Sequence, residues 1–258
     1  MAVSKERIQS YLKGEIGKEM VIYDKIDSTN NAAKLLAKNA APHGSVVIAL
    51  QQTSGKGRLG RSFYSPEATG IYMTAILRPT LPVQQALQIT SAAAVAVSRG
   101  IKDAAGIETQ IKWVNDVYYQ GKKLCGILTE SSVENGKIDY AVVGIGINVS
   151  TDTFPQELKE KATCLSHAAG QVDSDLLIAR VLDNLDGVYS QLGTGAFMEE
   201  YRTRSCVIGK EVTVLNMGEP FIAKAVDIDN DAHLIVKTAD ERYLTISSGE
   251  VTLQGDWK

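Results

Sequence analysis

At 258 residues the chain can bury roughly 70–75% of the surface its unfolded form exposes, so it needs no disulfide or metal staple. A net charge of −3, with 44% hydrophobic and 22% charged residues, fits an ordinary globular protein and excludes any general pull toward nucleic acid or anionic membrane. Cys125, Cys164 and Cys206 form no C-x-x-C pair and read as reduced buried thiols. There is no leader pattern and no charge-free apolar run near 18 residues, so a cytoplasmic location is expected.

In chain order, Ser4 to Leu12 reads as a short amphipathic helix and Met20 to Tyr23 as a strand. Asp27-Ser28-Thr29 supplies capping residues for a helix over Asn31 to Lys38. Ser45 to Gln52, β-branched and apolar at its start, reads as a buried strand. A glycine- and arginine-rich loop follows, then a strand at Gly70 to Arg78 and a long alanine-rich helix within Val83 to Ala105. Ile111 to Tyr119, Leu124 to Ser131 and Ile138 to Val149 read as three strands. Their connectors, Gln120-Gly121-Lys122 and Glu134-Asn135-Gly136-Lys137, suit hairpins, so an antiparallel meander is expected rather than parallel βαβ units. Helices are expected at Asp173 to Leu192, with Leu176, Leu177, Val181, Leu185 and Val188 at helical spacing, and at Ala196 to Thr203. Beyond Ser205, short strands at Val212 to Leu215, Ala223 to Ile228, Leu234 to Lys237 and Leu244 to Ser247 suggest a small β-barrel. The expected organisation is an α+β domain over residues 1–204 and an all-β module over 205–258.

The loop Gly55-Lys56-Gly57-Arg58-Leu59-Gly60-Arg61 is the most informative stretch. It puts three glycines and three cations into seven residues after a strand. Glycines let backbone amides approach a ligand, and the cations can pair with phosphate oxygens. It is no Walker A loop, because Gly60 precedes Arg61 and Ser62, and no dinucleotide fingerprint, because Phe63-Tyr64-Ser65-Pro66 follows instead of a helix. A basic surface loop and an anion-binding flap both remain open on these residues alone.

The loop resembles the G-R-G-R-x-G-R segment of biotin–protein ligases. Further blocks agree in order: Asp27-Ser28-Thr29-Asn30 resembles D-S-T-N, Lys112-Trp113-Val114-Asn115-Asp116 resembles K-W-P-N-D, Lys122 to Leu128 resembles K-x-x-G-I-L, and Gly144 to Val149 resembles G-I-G-I-N. The resemblance implies a mixed or antiparallel sheet of the class II aminoacyl-tRNA-synthetase type with helices, plus a C-terminal SH3-like β-barrel. It implies a ligase that makes biotinyl-5′-AMP from biotin and ATP, with Mg²⁺. The biotin then passes to a lysine of the biotin carboxyl carrier protein of a biotin-dependent carboxylase, such as acetyl-CoA carboxylase.

The resemblance also implies residue roles. Ser28, Thr29, Asn30, Gln52, Lys56, Gly57, Arg58, Lys123 and Gly126 would contact biotin. Arg58, Arg61, Lys112, Asn115, Asp116 and Asn148 would hold the nucleotide. Lys123, Arg58 and Asp116 would act in the chemistry, Asp116 taking the proton of the incoming lysine; no metal ligands can be named. Each has a plainer alternative: helix capping for Ser28 and Thr29, a strand-end polar group for Gln52, a solvated hairpin lysine for Lys123, and turn or bulge chemistry for Asn115 and Asp116. Gly144 and Gly146 mark a close approach to the backbone, by ligand or by protein. Trp113 reads as core, and His43, His167 and His233 have no ligand spacing.

Departures are Lys56 for the usual arginine, Phe63 where some relatives have tryptophan, and Val114 for proline. The first loses a planar fork; the other two are expected not to touch the chemistry. The loop is expected to be loose without ligand and to close over the adenylate. The 26 residues before Asp27 are too few for the winged-helix domain with which some relatives repress transcription, so no DNA-binding role is expected. Exposed strand edges leave room for a homodimer. The alternatives are a lipoate–protein ligase or octanoyltransferase of the same fold, and a non-catalytic biotin sensor.

Overall fold

The computed structural model describes residues 3–151, 153–215 and 219–254. The chain opens with α1 (Lys5–Tyr11), β1 (Met20–Ile26), α2 (Thr29–Lys38), β2 (Val46–Gln52) and β3 (Gly70–Leu77). There follow α3 (Ala86–Ala105), β4 (Gln110–Lys112), β5 (Asp116–Tyr119), β6 (Lys122–Glu134) and β7 (Lys137–Asn148). Next come α4 (Leu165–Ala169), α5 (Ser174–Tyr189) and α6 (Met198–Thr203). The chain closes with β8 (Glu211–Leu215), β9 (Phe221–Ile228), β10 (Leu234–Thr238), β11 (Tyr243–Ile246) and β12 (Glu250–Leu253).

Seven strands form one mixed sheet in the order β1-β2-β3-β7-β6-β5-β4. The meander of β5, β6 and β7 is antiparallel, as expected from its Gly and Asn connectors. The start of the sheet departs from that plan. β1 and β2 run parallel, Met20 facing Val46, and α2 makes the crossover between them. A parallel pair needs a long connection of this kind, whereas a two-residue turn suffices for an antiparallel one.

A second correction falls on Ile111 to Tyr119, expected as one strand. It is a tight hairpin: β4 and β5 pair antiparallel, Lys112 opposite Asp116, around a turn at Trp113, Val114 and Asn115. The turn is buried and its polar groups are satisfied from outside the hairpin. Trp113 Nε1 donates to the Ala232 carbonyl at 2.8 Å, and the Tyr201 hydroxyl donates to the Val114 carbonyl at 3.0 Å. Asn115 Nδ2 donates to the Ile127 carbonyl at 2.8 Å, while Ile127 N donates back to Asn115 O at 2.9 Å. An apolar run with strand-like composition therefore turns inward, because these tertiary partners outweigh local preference.

One face of the sheet packs on α3 and α5. α3 is alanine-rich because another helix lies almost against its backbone: a Cβ at Gly100 would sit 2.6 Å from Val181 Cγ2 and 2.8 Å from Val181 Cα. α5 starts after Asp173, whose carboxylate accepts from Asp175 N and Leu176 N at 3.0 and 3.2 Å. The other face is covered only in part, by α2 over Val47, Ile76, Tyr140 and Val142.

The C-terminal strands form an antiparallel sheet in the order β11-β10-β9-β8-β12. Alternate residues Val212, Val214, Ala223, Ala225, Leu234 and Val236 are buried and join the same apolar cluster as the large sheet. β12 was not anticipated. It is four residues long with one buried side chain, Val251, and takes its place by pairing with β8.

Gly100→Ala should lower stability by about 1–3 kcal/mol through overpacking, even though alanine is favoured over glycine by up to about 1 kcal/mol in a helix. A raised urea midpoint would contradict the close approach of α3 and α5.

Candidate active site

The uncovered part of the sheet face lies beyond the N-terminus of α2. There β3, β7 and β6 place Thr74 opposite Gly144, Gly144 opposite Leu128, and Gly146 opposite Gly126. Three glycines leave this face nearly bare, and side chains from elsewhere lie on the backbone. A Cβ at Gly144 would fall 2.0 Å from Asn30 Oδ1, and one at Gly146 would fall 2.5 Å from the Phe63 ring. The close approach anticipated for Gly144 and Gly146 is thus made by protein. Phe63, expected to stand apart from the chemistry, lines the pocket; Val114 lines the neighbouring cleft beneath the loop.

The pocket itself encloses only about 50 Å³, below the roughly 300–1,000 Å³ usual for small-molecule sites, but Lys56, Gly57, Arg58, Ile127 and Leu128 also line an adjoining cleft of about 560 Å³. The pocket's two ends differ in chemistry. At one end Ser28, Asn30 and Gln52 face in, with Lys56 and Gly57 from the loop. At the other stand Arg58, Asn115 and Lys123, with Gly126 between them and the apolar wall of Phe63, Ile127, Leu128 and Ile145.

The first end is a hydrogen-bonded relay. Gln52 Oε1 accepts from Thr29 N and Thr29 Oγ1 at 2.9 and 3.1 Å, and Gln52 Nε2 donates to Ser65 Oγ at 3.0 Å. The Thr74 hydroxyl lies 2.8 Å from both Thr29 Oγ1 and Asn30 Oδ1. Asn30 Nδ2 reaches Glu130 Oε2 at 2.9 Å, and Lys34 pairs with Glu130 at 2.8 Å. Ser28 occupies the N-cap position of α2 but makes no side-chain cap hydrogen bond, and it lines the pocket. Capping therefore does not account for Ser28, and Thr29 is spent on positioning Gln52. Lys56 Nζ donates to Asn31 Oδ1 at 2.6 Å, which holds the loop to α2.

The second end is ionic. Lys123 Nζ lies 2.7 Å from Asp116 Oδ1, both half-buried. The hairpin turn found in place of a strand is what brings Asp116 to Lys123 through the β5–β6 ladder. Arg58 Nη1 donates to Asn115 Oδ1 at 3.2 Å and Nη2 to the Gly249 carbonyl at 2.9 Å. Burial pushes the Lys112 ammonium below the usual lysine range, against the pull of Asp116 and Glu250; its Nζ lies 5.7 Å over the Tyr118 ring. Arg58, Arg61, Lys112 and Lys123 outnumber Asp116 and Glu250 here, so the local charge is positive.

Not every expected residue reaches the cavity. Arg61 pairs with Glu250 at 2.7 Å and lines the adjoining cleft. Asn148 Nδ2 donates to the Thr163 carbonyl at 3.0 Å, fastening the segment after β7 to the sheet. The loop folds back as a short antiparallel bridge between Lys56 and Ser62, with Gly57 N to Arg61 O at 2.7 Å. Thr74 and Glu250 were missed by sequence reading. Thr74 had a signal, the one aliphatic hydroxyl in a strand whose other side chains are aliphatic or aromatic; Glu250 had none.

The chain matches the Biotin/lipoate A/B protein ligase family over residues 22–148 and the Biotin protein ligase C terminal domain over 207–253. It is 38% identical to the bifunctional ligase/repressor BirA of Bacillus subtilis strain 168, covering 97% of this chain and 79% of that one. It is 38% identical to the biotin–[acetyl-CoA-carboxylase] ligase of Paracoccus denitrificans, over 89% of this chain and 91% of that one. Among solved structures it resembles the biotin protein ligase of Aquifex aeolicus in complex with biotin and ATP, with a TM-score of 0.79 at 28% identity, covering 93% of this chain and 100% of that one.

Thr74→Val keeps the shape of the buried side chain but leaves Thr29 and Asn30 short of a partner. It should cost about 1–3 kcal/mol in denaturant unfolding. A variant as stable as the parent would show that the relay is not held by Thr74.

Proposed function

Because the chain belongs to the biotin protein ligase family, we propose that its pocket seats biotin with the ureido head at Ser28, Asn30 and Gln52 and the carboxylate at Lys123. The enzyme activates biotin with ATP to biotinyl-5′-AMP and transfers biotin to a lysine of a biotin carboxyl carrier protein. The observation that carries the orientation is the polarity of the cleft. Amide and hydroxyl groups suit a ureido group that both donates and accepts, an apolar wall suits the ring and tail, and cations close the far end.

In the first step a carboxylate oxygen of biotin attacks the α-phosphorus of ATP, and the bond to pyrophosphate breaks. Two anions must meet, so Lys123 and Arg58 act by lowering their repulsion and stabilising charge at phosphorus. Magnesium enters with ATP as part of the substrate. It would be held through phosphate oxygens and one or two carboxylates. Asp116, beside Lys123, is the nearby carboxylate. Lys112, Asn115 and Arg61 hold the nucleotide from the hairpin and loop. Asn148 acts at one remove, by fixing the segment after β7.

In the second step the acceptor amine attacks the acyl carbon, the bond to AMP breaks, and Asp116 takes the proton released. Lys56 and Gly57 line the pocket at the ureido end, and Gly126 lines it beside Lys123. Their compact packing against the acyl chain keeps water from the mixed anhydride.

The catalytic unit is taken as residues 1–204 and the small β unit as 205–258. None of the described helices is long and apolar enough to cross a membrane. With all three cysteines free, a reducing cytoplasm suits the chain. A net charge of −3 gives no general attraction for DNA or lipid, and neither is included as a partner. Beyond Ile127, β6 pairs with β7 on one side only, an edge through which a second copy can add. The named relatives and the C-terminal match at 207–253 favour biotin over lipoate.

Biotin-dependent exchange of labelled pyrophosphate into ATP should occur, with none from lipoate or octanoate. Lys123→Ala should cut it about 10²–10³-fold, the usual loss of one oxyanion-stabilising group. Folded protein that binds biotin without exchange would instead be a sensor.

A further inference from the structure

Two of the three cations in the glycine-rich loop are held by the C-terminal sheet. Arg61 meets Glu250 with both prongs: Nη1 donates to Oε1 at 2.7 Å, and Nη2 lies 2.7 Å from Oε2. Arg58 divides its fork between the sheets, Nη1 to Asn115 Oδ1 at 3.2 Å and Nη2 to the Gly249 carbonyl at 2.9 Å. Gly249 and Glu250 are adjacent, and β12 is fixed behind them by its register with β8, Glu250 opposite Leu215, and by buried Val251. A carboxylate that takes both prongs of an arginine has the geometry a phosphate would use.

Arg61 is 63% exposed, so this pair adds little to the stability of the fold. Its consequence is for where the loop lies. We propose that Glu250, together with the Gly249 carbonyl, is a positioning residue for the adenylation step: it holds Arg58 and Arg61 at the pocket mouth so that the triphosphate meets an ordered loop. This rests on the adenylation reading given above. The carboxylate also competes with phosphate for Arg61, an effect of opposite sign. An exposed pair competes weakly, whereas a released seven-residue loop must be ordered anew, residue by residue, each time ATP binds. Ordering wins, and removal of Glu250 weakens ATP binding.

The test uses the full chain with Glu250→Ala, Glu250→Gln and Glu250→Asp. Brief trypsin digestion without ligand reports the loop directly through cleavage after Lys56, Arg58 and Arg61. Pyrophosphate exchange reports KM for ATP and for biotin separately. The Ala and Gln variants should be cut in the loop several-fold faster, with KM for ATP raised about two- to fivefold, the range that one exposed ion pair can supply. KM for biotin should rise less than KM for ATP, because Lys56 stays anchored to Asn31 at that end of the loop, and Asp should recover part of both effects. The isosteric Gln variant carries the test if Ala fails to fold. Unchanged cleavage with unchanged KM for ATP, or tighter ATP binding without the carboxylate, would overturn the proposal. Wild-type protein with no exchange would refute adenylation instead, and the cleavage comparison would still decide whether Glu250 holds the loop.

Discussion

The site depends on a stretch of sheet with almost no side chains of its own. Gly126, Gly144 and Gly146 face the same way on paired strands, so Asn30 and Phe63 can lie directly on the backbone. Glycine weakens a strand, and three on one face would be costly without a use. Here the loss gives a floor on which α2, the glycine-rich loop and the β4–β5 hairpin converge. Any side chain larger than hydrogen at Gly144 would collide with Asn30 and break the relay to Thr74 and Thr29.

The relay and the ion pair solve different problems. The buried hydroxyls and amides around Thr74 satisfy one another, which rigidifies that end of the pocket. Lys123 and Asp116 instead keep opposite charges together in a place where either alone would be expensive to bury. An arriving anion can share Lys123 without leaving it uncompensated at any stage. The C-terminal sheet contributes at the rim through Gly249 and Glu250, which makes the two sheets parts of one site as well as one core.

Much of this was legible from residues alone where chemistry and spacing agree. The loop of alternating glycines and cations, and Lys123 at the start of an apolar strand, are brought to one cavity. What was hidden depended on contacts distant in sequence. Ile111 to Tyr119 reads as one strand, with turn or bulge chemistry only an alternative at Asn115 and Asp116, and it turns because Ala232, Tyr201 and Ile127 supply its hydrogen bonds. Ser28 looks like a cap, and only the structure shows its hydroxyl left for the pocket. Asn148, expected at the nucleotide, donates from its amide to the Thr163 carbonyl and lies outside the residues that line the pocket. The partnership of Arg61 with Glu250 spans 189 positions, beyond any local pattern.

The orientation of the substrate is the central claim, and a crystal structure of the chain with biotin tests it most directly. The account requires the ureido group within hydrogen-bond distance of Ser28 and Gln52 and the carboxylate beside Lys123. Biotin lying in the reverse sense, or outside the floor made by Gly126, Gly144 and Gly146, would contradict it.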